Sequence, residues 1–255
     1  MPWIVITAVA PLRAEPSHRS EMISQLLFGE LADEIESRGD FVKIKGRYDG
    51  YEGWCQRRQL AKLAGEGYPF VTRYSQHPED YVLVNGTKVQ LSPGSICFVP
   101  DSADTLQVGP YALAFNLKED NPIPAAGNGA AAAVYFAKLF LGTPYLWGGR
   151  SKYGMDCSGL TQTSFKLAGK FLPRDSGPQS KEGEVVNLLQ EARPGDLAFF
   201  DNEEGKIVHV GILLSASEIL HASASVRIDP IDSYGIVHRE EGERTHRLRI
   251  IKRFF

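Results

Sequence analysis

Short stretches of alternating hydrophobic and polar residues run through the first half of the chain, from Trp3 to about Leu117. The alternation is clear over residues 40–46, and a period of two is typical of a β-strand with one buried face. Asn85-Gly86 separates two further strand-like runs, and this dipeptide favours the tight turn of a β-hairpin. The first half is therefore predicted to be almost entirely β-structure.

The second half begins with helical patterns and continues with strands. Residues 130–141 and 157–168 are each predicted to form a helix that ends at a glycine, and strand patterns follow from Asp196 onward. A stretch that combines proline, glycine and charged residues, 118–129, has the composition of a linker. Helices followed by a sheet predict an α+β domain.

These changes of pattern divide the chain into three domains and a linker. We predict a β-barrel domain over 1–64, a second and more divergent barrel-like β domain over 65–120, a linker over 121–127 and an α+β domain over 128–255. A chain of 255 residues is long enough for two or three compact domains.

Composition and charge exclude several classes of partner. The net charge is −3 and the isoelectric point is about 6.1, so neither nucleic acid nor an anionic membrane would attract the chain electrostatically. The first apolar run, 3–12, has no basic segment before it and is too short for a signal peptide or a membrane span. We therefore expect a cytoplasmic protein with small or specific partners.

One of the three cysteines differs from the other two. Their odd number and wide spacing argue against a disulfide framework and against a Cys-x-x-Cys metal site, which fits a reducing compartment. Cys157 follows the glycines Gly148-Gly149 and the capping residue Asp156, so it lies at a helix start, where unpaired amides and the helix dipole favour a thiolate. It is the candidate nucleophile. Cys55 and Cys97 have no such setting and are expected to be inert and buried.

Two histidines lie in patterns that predict successive strands. His209 occurs in the run 206–214 and His221 in 218–223, and a titratable ring in an apolar strand costs free energy, which indicates a function such as base catalysis. With Cys157 they could also hold zinc with an open position, but activation of a nucleophile by a base explains the glycine loop and the cap without a metal. The remaining histidines lie in polar or loop-like sequence and are expected at the surface: His18, His77, His238 and His246.

Five blocks occur in order in the last half of the chain: Pro144-Tyr-Leu-Trp-Gly-Gly, Asp156-Cys-Ser-Gly-Leu, Arg193-Pro-Gly-Asp-Leu-Ala-Phe-Phe, Val208-His-Val-Gly-Ile and Leu220-His-Ala-Ser. With these blocks, residues 128–255 resemble the NlpC-type cell-wall cysteine peptidases. The resemblance implies a papain-like α+β fold in which Cys157 is the nucleophile, His209 the general base and His221 the residue that orients the base. It implies neither a cofactor nor a metal.

The first half carries a second resemblance. Residues 38–54, which end in Tyr51-Glu-Gly-Trp54, are similar to the bacterial Src-homology-3-like barrel. Such barrels before a peptidase domain resemble the γ-D-glutamyl-L-diamino acid endopeptidases, the dipeptidyl-peptidase VI subgroup, in which the first barrel helps to wall the substrate cleft. Matched residue by residue, the resemblance places substrate recognition at Glu30, Tyr51, Trp147, Asp156, Ser158 and Ser176.

Part of this set suits a substrate with a free amino terminus. Carboxylates at Glu30 and Asp156 and the phenol of Tyr51 could hold an ammonium group by charge-assisted hydrogen bonds. Four of the six recognition positions also have a purely structural alternative. Glu30 could be a solvated turn residue, Tyr51 and Trp147 could be core aromatics, and Asp156 could be a helix cap only.

The combined expectation is a monomeric cytoplasmic cysteine peptidase of murein-peptide recycling. Its substrate would be a peptide with a free amino-terminal L-Ala, hydrolysed between γ-D-Glu and an L-diamino acid, with no cofactor and with neither nucleic acid nor membrane as partner. Two alternatives stay open. One is a general wall hydrolase, amidase or acyltransferase on the same scaffold, and the other is a catalytically inert wall-peptide-binding protein, against which the intact Cys157, His209 and His221 argue.

Overall fold

The computed structural model describes residues 1–63, 70–100, 105–118 and 129–255. Contacts divide the chain into two compact units, one made of Met1–Asn121 with Arg150–Lys152 and the other of Pro122–Gly149 with Tyr153–Phe255. Three residues that follow the glycine-rich loop therefore belong to the first unit. The predicted linker 121–127 and the predicted boundary at 64–65 lie outside the described residues.

The described part of the first unit consists of antiparallel strands, which confirms the predicted β-structure. Seven strands form one sheet in the order β3-β2-β6-β5-β4-β1-β7, and the following six form a four-stranded sheet, β10-β9-β13-β12, and a pair, β11-β8. The strands of this unit are β1 Trp3–Val5, β2 Val9–Arg13, β3 Met22–Leu27, β4 Leu31–Arg38, β5 Phe41–Gly46, β6 Glu52–Gln56, β7 Leu60–Lys62, β8 Phe70–Tyr74, β9 Tyr81–Val84, β10 Thr87–Gln90, β11 Ile96–Pro100, β12 Leu106–Val108, β13 Tyr111–Asn116 and β14 Arg150–Ser151, with a 3₁₀ turn at Arg57–Gln59.

Two buried clusters stabilise the first unit. One belongs to the seven-stranded sheet and includes Val5 and Ile44. The other joins that sheet to the later strands, because Phe28 packs in one cluster with Val82 and Leu113. Each such side chain contributes about 1.5 to 3 kcal/mol through burial. The two predicted β regions therefore share a core within one unit.

The predicted hairpin at Asn85-Gly86 is confirmed. It connects β9 to β10 in an antiparallel ladder, with φ values of 49° at Asn85 and 80° at Gly86. Two successive residues in the left-handed region are what a type I′ turn requires, and asparagine and glycine adopt it at least cost. The backbone N–H of Ala112 also donates to Oδ1 of Asn85, 2.8 Å away.

The second unit contains the predicted helices and sheet, so its α+β class is confirmed. The sheet order is β16-β22-β17-β18-β19-β20-β21, and β21 also pairs with β22. Its elements are α1 Gly129–Lys138, β15 Gly154–Met155, α2 Cys157–Leu167, α3 Ser176–Gln179, β16 Glu184–Val186, a 3₁₀ turn at Leu189–Glu191, β17 Leu197–Asp201, β18 Ile207–Leu213, β19 Glu218–Ser223, β20 Ser225–Asp232, β21 Gly235–Val237 and β22 Arg244–Arg253.

The central helix α2 packs against α1 and against strands β18 and β19. All of its residues are buried, as is typical of a helix enclosed by other layers. It begins at Cys157 as predicted. The helix α1 ends at Lys138, three residues before the predicted end, because the next turn closes with i to i−3 hydrogen bonds such as Leu141 N–H to the Lys138 carbonyl. No helix within the described ranges is both long and apolar enough to cross a membrane.

Candidate active site

Cys157 is the first residue of α2, and Asp156 caps the helix. The backbone of Asp156 is extended (φ −94°, ψ 174°), and its carboxylate accepts the N–H of Gly159 at 2.6 Å. The helix packs against β18, and the backbone N–H of Val210 in that strand interacts with the thiol. The structure thus confirms the predicted helix start and places the thiol beside the strand that carries His209.

The ionisation state of the thiol differs from the sequence expectation. Burial raises the pKa of Cys157 to about 12, and the charge of Asp156 acts in the same direction. The N–H groups of Val210 and Ser158 and the charge of Arg174 lower the pKa without compensating for burial. Desolvation therefore outweighs the effect of the helix start. A thiol with its pKa raised in this way needs a base to take its proton near neutral pH.

His209 and His221 lie on neighbouring antiparallel strands, β18 and β19. Gly211 is opposite His221, so His209, two residues earlier, belongs to the same face of the sheet. The two rings meet at 88°, and Nε2 of His209 lies 2.9 Å from Nδ1 of His221. The predicted placement of the two histidines on successive strands is confirmed. Among the described residues, no group of three or more His, Cys, Asp and Glu side chains is arranged to hold a metal ion.

The surroundings of His209 favour a neutral imidazole. Burial holds the pKa of His209 well below 6.5, and the charges of His246 and His221 lower it further. A neutral imidazole can accept a proton, and a protonated thiol can supply one. The surroundings of Cys157 and of His209 therefore each favour the uncharged form.

Three histidines predicted at the surface are half-buried: His77, His238 and His246. His246, on β22, stacks on His209 with ring centroids 4.0 Å apart and an interplanar angle of 26°. Burial lowers the pKa of His246 to about 4. The surface expectation therefore holds only in part for these three, because polar neighbours in the sequence do not report the tertiary contacts of a ring. His18 is exposed as predicted.

The carboxylate of Asp156 is held by a buried arginine that the sequence did not reveal. Arg174 donates to both carboxylate oxygens, at 3.0 and 2.6 Å, and Gly148 N–H donates at 2.9 Å. Arg174 also donates to Oγ of Ser158 at 2.9 Å. Such bidentate, charge-assisted bonds are strong and directional. They tie the glycine-rich loop to the start of α2, so Asp156 is more than a local cap.

Trp147 and Ser176 both belong to the second unit and differ in exposure. The side chain of Trp147 is exposed, at 59%, so the core-aromatic alternative is wrong for it. Ser176 is half-buried and begins α3. Gln179 of α3 donates to the carbonyl of Ser158 at 3.2 Å, which fixes α3 beside the start of α2. The roles of Trp147, Ser158 and Ser176 in substrate binding stay predictions.

In the first unit, Glu30 forms a buried ion pair. Its carboxylate accepts hydrogen bonds from the Arg150 guanidinium at 3.2 and 3.3 Å and from Leu27 N–H at 3.0 Å. Both charged side chains are only 1% exposed, so the solvated-turn alternative for Glu30 is wrong. Tyr51 is half-buried and packs against the cluster of the seven-stranded sheet. The recognition roles of Glu30 and Tyr51 stay predictions.

Two family patterns match the chain. The NlpC/P60 family matches residues 142–241, a range that contains Cys157, His209 and His221. The bacterial dipeptidyl-peptidase SH3 domain matches residues 12–60, which confirms the barrel expected for the first half. Both resemblances seen in the sequence are therefore supported by independent patterns.

Relatives extend the match over most of the chain. It is 31% identical to the γ-D-glutamyl-L-lysine dipeptidyl-peptidase of Bacillus subtilis, over 78% of this chain and 71% of that protein. A protein of the same name from Bacillus cereus is 29% identical, over 90% of this chain and 77% of the relative. The crystal structure of an NlpC/P60 family protein from Bacillus cereus covers 99% of both chains with a TM-score of 0.81 at 23% identity, which shows a common fold. The chain belongs to the NlpC/P60 family of cysteine peptidases.

Proposed function

We propose that this peptidase cleaves the bond between γ-D-Glu and an L-diamino acid in murein peptides with a free amino-terminal L-Ala, in cell-wall peptide recycling. The names of the Bacillus relatives, γ-D-glutamyl-L-lysine dipeptidyl-peptidase, support this choice of bond. The observation that carries the chemistry is the hydrogen bond between His209 and His221 on the strands against which the Cys157 helix packs.

The reaction proceeds through an acyl-enzyme. The thiol proton of Cys157 passes to His209 as sulfur attacks the carbonyl carbon of the γ-glutamyl amide. The C–N bond then breaks while His209 gives that proton to the leaving amine, and the dipeptide remains attached to Cys157 as a thioester. His209 next takes a proton from a water molecule as the water oxygen attacks the thioester carbon. The C–S bond then breaks, the dipeptide leaves as the free acid, and His209 returns the proton to the sulfur of Cys157.

One hydrogen-bond donor suits the oxyanion of the tetrahedral intermediates. It is the backbone N–H of Cys157, because the N–H groups of a helix's first turn have no partner within the helix.

Acetylation of the substrate's amino terminus is expected to lower kcat/KM by about 10- to 150-fold. The acetyl group removes the positive charge, and one charge-assisted hydrogen bond is worth about 1.5 to 3 kcal/mol. The measurement compares kcat/KM for L-Ala-γ-D-Glu-L-Lys with that for its N-acetyl derivative. Equal values would contradict recognition of the free amine and would favour a general wall hydrolase.

Mass spectrometry of three parallel digests tests the proposed function. The substrates are the tripeptide ending in L-Lys, the tripeptide ending in meso-diaminopimelate, and intact murein. We expect L-Ala-γ-D-Glu and the free diamino acid from at least one tripeptide, and no comparable release from intact murein. Equal release from murein would indicate a wall hydrolase. Transfer of the acyl group to an added amine in preference to water would indicate an acyltransferase. No product from any substrate would indicate a binding protein.

We further propose that the enzyme acts as a monomer in the cytoplasm. The three cysteines are all buried free thiols, which fits a reducing compartment. The net charge of −3 fits a partner that is a small peptide rather than nucleic acid. Sedimentation of the pure protein and fractionation of cells test the two parts separately.

A further inference from the structure

Asp229, on β20, is a buried carboxylate that contacts the orienting histidine. Its side chain is 2% exposed, and its Oδ2 lies 3.0 Å from Nε2 of His221. Arg227 is directly opposite His221 in the ladder of β19 and β20, so Asp229, two residues later, belongs to the same face of the sheet. The three side chains His209, His221 and Asp229 therefore form one continuous hydrogen-bonded row.

The surroundings of Asp229 keep it ionised. Burial alone would raise its pKa, but the hydrogen bond and charge of His221, the charge of Arg227 and the N–H of Arg239 together lower it to about 2. The Arg227 guanidinium lies 2.8 Å from Oδ2 of Asp229 and also hydrogen-bonds to Nε2 of His238 at 2.8 Å. Asp229 is thus a carboxylate at neutral pH.

An ionised carboxylate accepts hydrogen bonds and donates none, so when His221 is neutral it determines the positions of the protons on both rings. Nε2 of His221 must carry its proton in order to donate to Asp229. In the neutral ring, Nδ1 of His221 is then a lone pair, which accepts the proton on Nε2 of His209. Nε2 of His209 is therefore protonated, and Nδ1 is the nitrogen left with a free lone pair.

We propose that Asp229 is a positioning residue of the peptidase, which acts through His221 to keep Nδ1 of His209 as the proton acceptor for the Cys157 thiol. Asp229 does this without contact to the substrate. The inference rests on His209 as the general base and is independent of which peptide the enzyme cleaves. It adds a fourth member to the predicted set of Cys157, His209 and His221.

Asp229→Asn is expected to lower kcat by about 10- to 1000-fold with KM nearly unchanged. Two known effects bound this range. The smaller is the cost of removing a residue that hydrogen-bonds to a metal-bound histidine, and the larger is the loss of kcat when a serine-protease triad loses the aspartate that selects the histidine tautomer. The ring ¹⁵N shifts of His209 and His221 report the protons directly. The wild type should show Nε2-protonated rings at both positions, and the variant should show a mixture of tautomers. A kcat within about 2-fold of wild type, or unchanged tautomers, would overturn the proposal.

A double-mutant cycle separates positioning from general loosening of the fold. In a His221→Gln background, where no ring tautomer remains to be selected, Asp229→Asn should cost less than about 2-fold in kcat. The same loss in both backgrounds would show that Asp229 acts through stability alone. Asp232→Asn is the matched control, because Asp232 lies on the same strand but pairs with the exposed Arg244. Its kcat should equal that of the wild type.

The rate at which iodoacetamide alkylates Cys157 provides a readout that needs no peptide substrate. Because His209 must take the thiol proton, Asp229→Asn should slow alkylation at neutral pH, whereas Asp232→Asn should not. If the wild type cleaves none of the murein peptides, the proposed function fails while this measurement still tests Asp229. An alkylation rate unchanged by Asp229→Asn would contradict the positioning role.

Discussion

Cys157→Ala is expected to lower kcat by roughly 10⁵- to 10⁶-fold, the scale of loss when the nucleophile of a catalytic triad is removed. Alanine lacks the sulfur that forms the thioester, and no other group at the start of α2 can replace it. The protein should still fold, because the side chain changes by a single sulfur atom. Steady-state cleavage of the tripeptide measures the loss, and thermal unfolding checks the fold.

The other two cysteines provide matched controls. Cys55 and Cys97 are buried, and burial raises the pKa of each thiol to about 12, as it does for Cys157. They lack a helix start and a neighbouring base. Cys55→Ala and Cys97→Ala should therefore keep full kcat and lose only about 1 kcal/mol of stability. Substantial activity in Cys157→Ala, or loss of activity in either control without unfolding, would contradict the assignment.

His209→Ala is expected to lower kcat by at least about 10²- to 10⁴-fold, because the thiol loses the base that removes its proton. His221→Gln should cost less, since His221 orients the base without transferring the proton. Steady-state kinetics on the tripeptide compare both variants with His18→Gln, a change at an exposed ring that packs against Phe41. Equal and negligible losses in His209→Ala and His221→Gln would place the base elsewhere.

The pH dependence tests the same base without a mutation. Burial holds the pKa of His209 well below 6.5, so the imidazole stays neutral and active as the pH falls through 6.5. Activity should decline only at lower pH, where His209 becomes protonated and can no longer accept the thiol proton. A midpoint of the acid limb of kcat/KM at or above pH 6.5 would contradict a buried, neutral base.

Local patterns were sufficient to predict the elements that carry the nucleophile and the base. The start of α2 follows from a capping residue and a glycine-rich loop within a few positions of Cys157. The strands of His209 and His221 follow from short apolar runs, and β18 and β19 occur within one residue of the predicted limits. These signals are local, so the sequence reports them directly.

The partners of these residues depend on strand pairing, which the sequence shows less directly. Asp229 meets His221 only because β19 and β20 pair in a register set by the turn at Ala224, where φ is 60°. His246 was expected at the surface because it lies in polar or loop-like sequence. The pairing of β22 with β17 and β21 instead places its ring against His209.

The charged pairs and the protonation states depend on burial, which composition does not report. Arg174 is 18 residues from Asp156, and Arg150 is 120 residues from Glu30, so no local spacing links either pair. The expectation of a resting thiolate considered the helix start alone. Burial changes the pKa of the Cys157 thiol more than the helix start does. The extent of burial is known only from the structure.

Trapping the acyl-enzyme tests the central claim most directly. The protein is mixed with L-Ala-γ-D-Glu-L-Lys, quenched in acid within a turnover, and analysed as the intact chain and as proteolytic fragments by mass spectrometry. The account predicts an added L-Ala-γ-D-Glu acyl group, attached to the fragment that contains Cys157 and absent from the Cys157→Ala protein. Turnover with no such adduct at any quench time, or an adduct on a fragment that lacks Cys157, would contradict it.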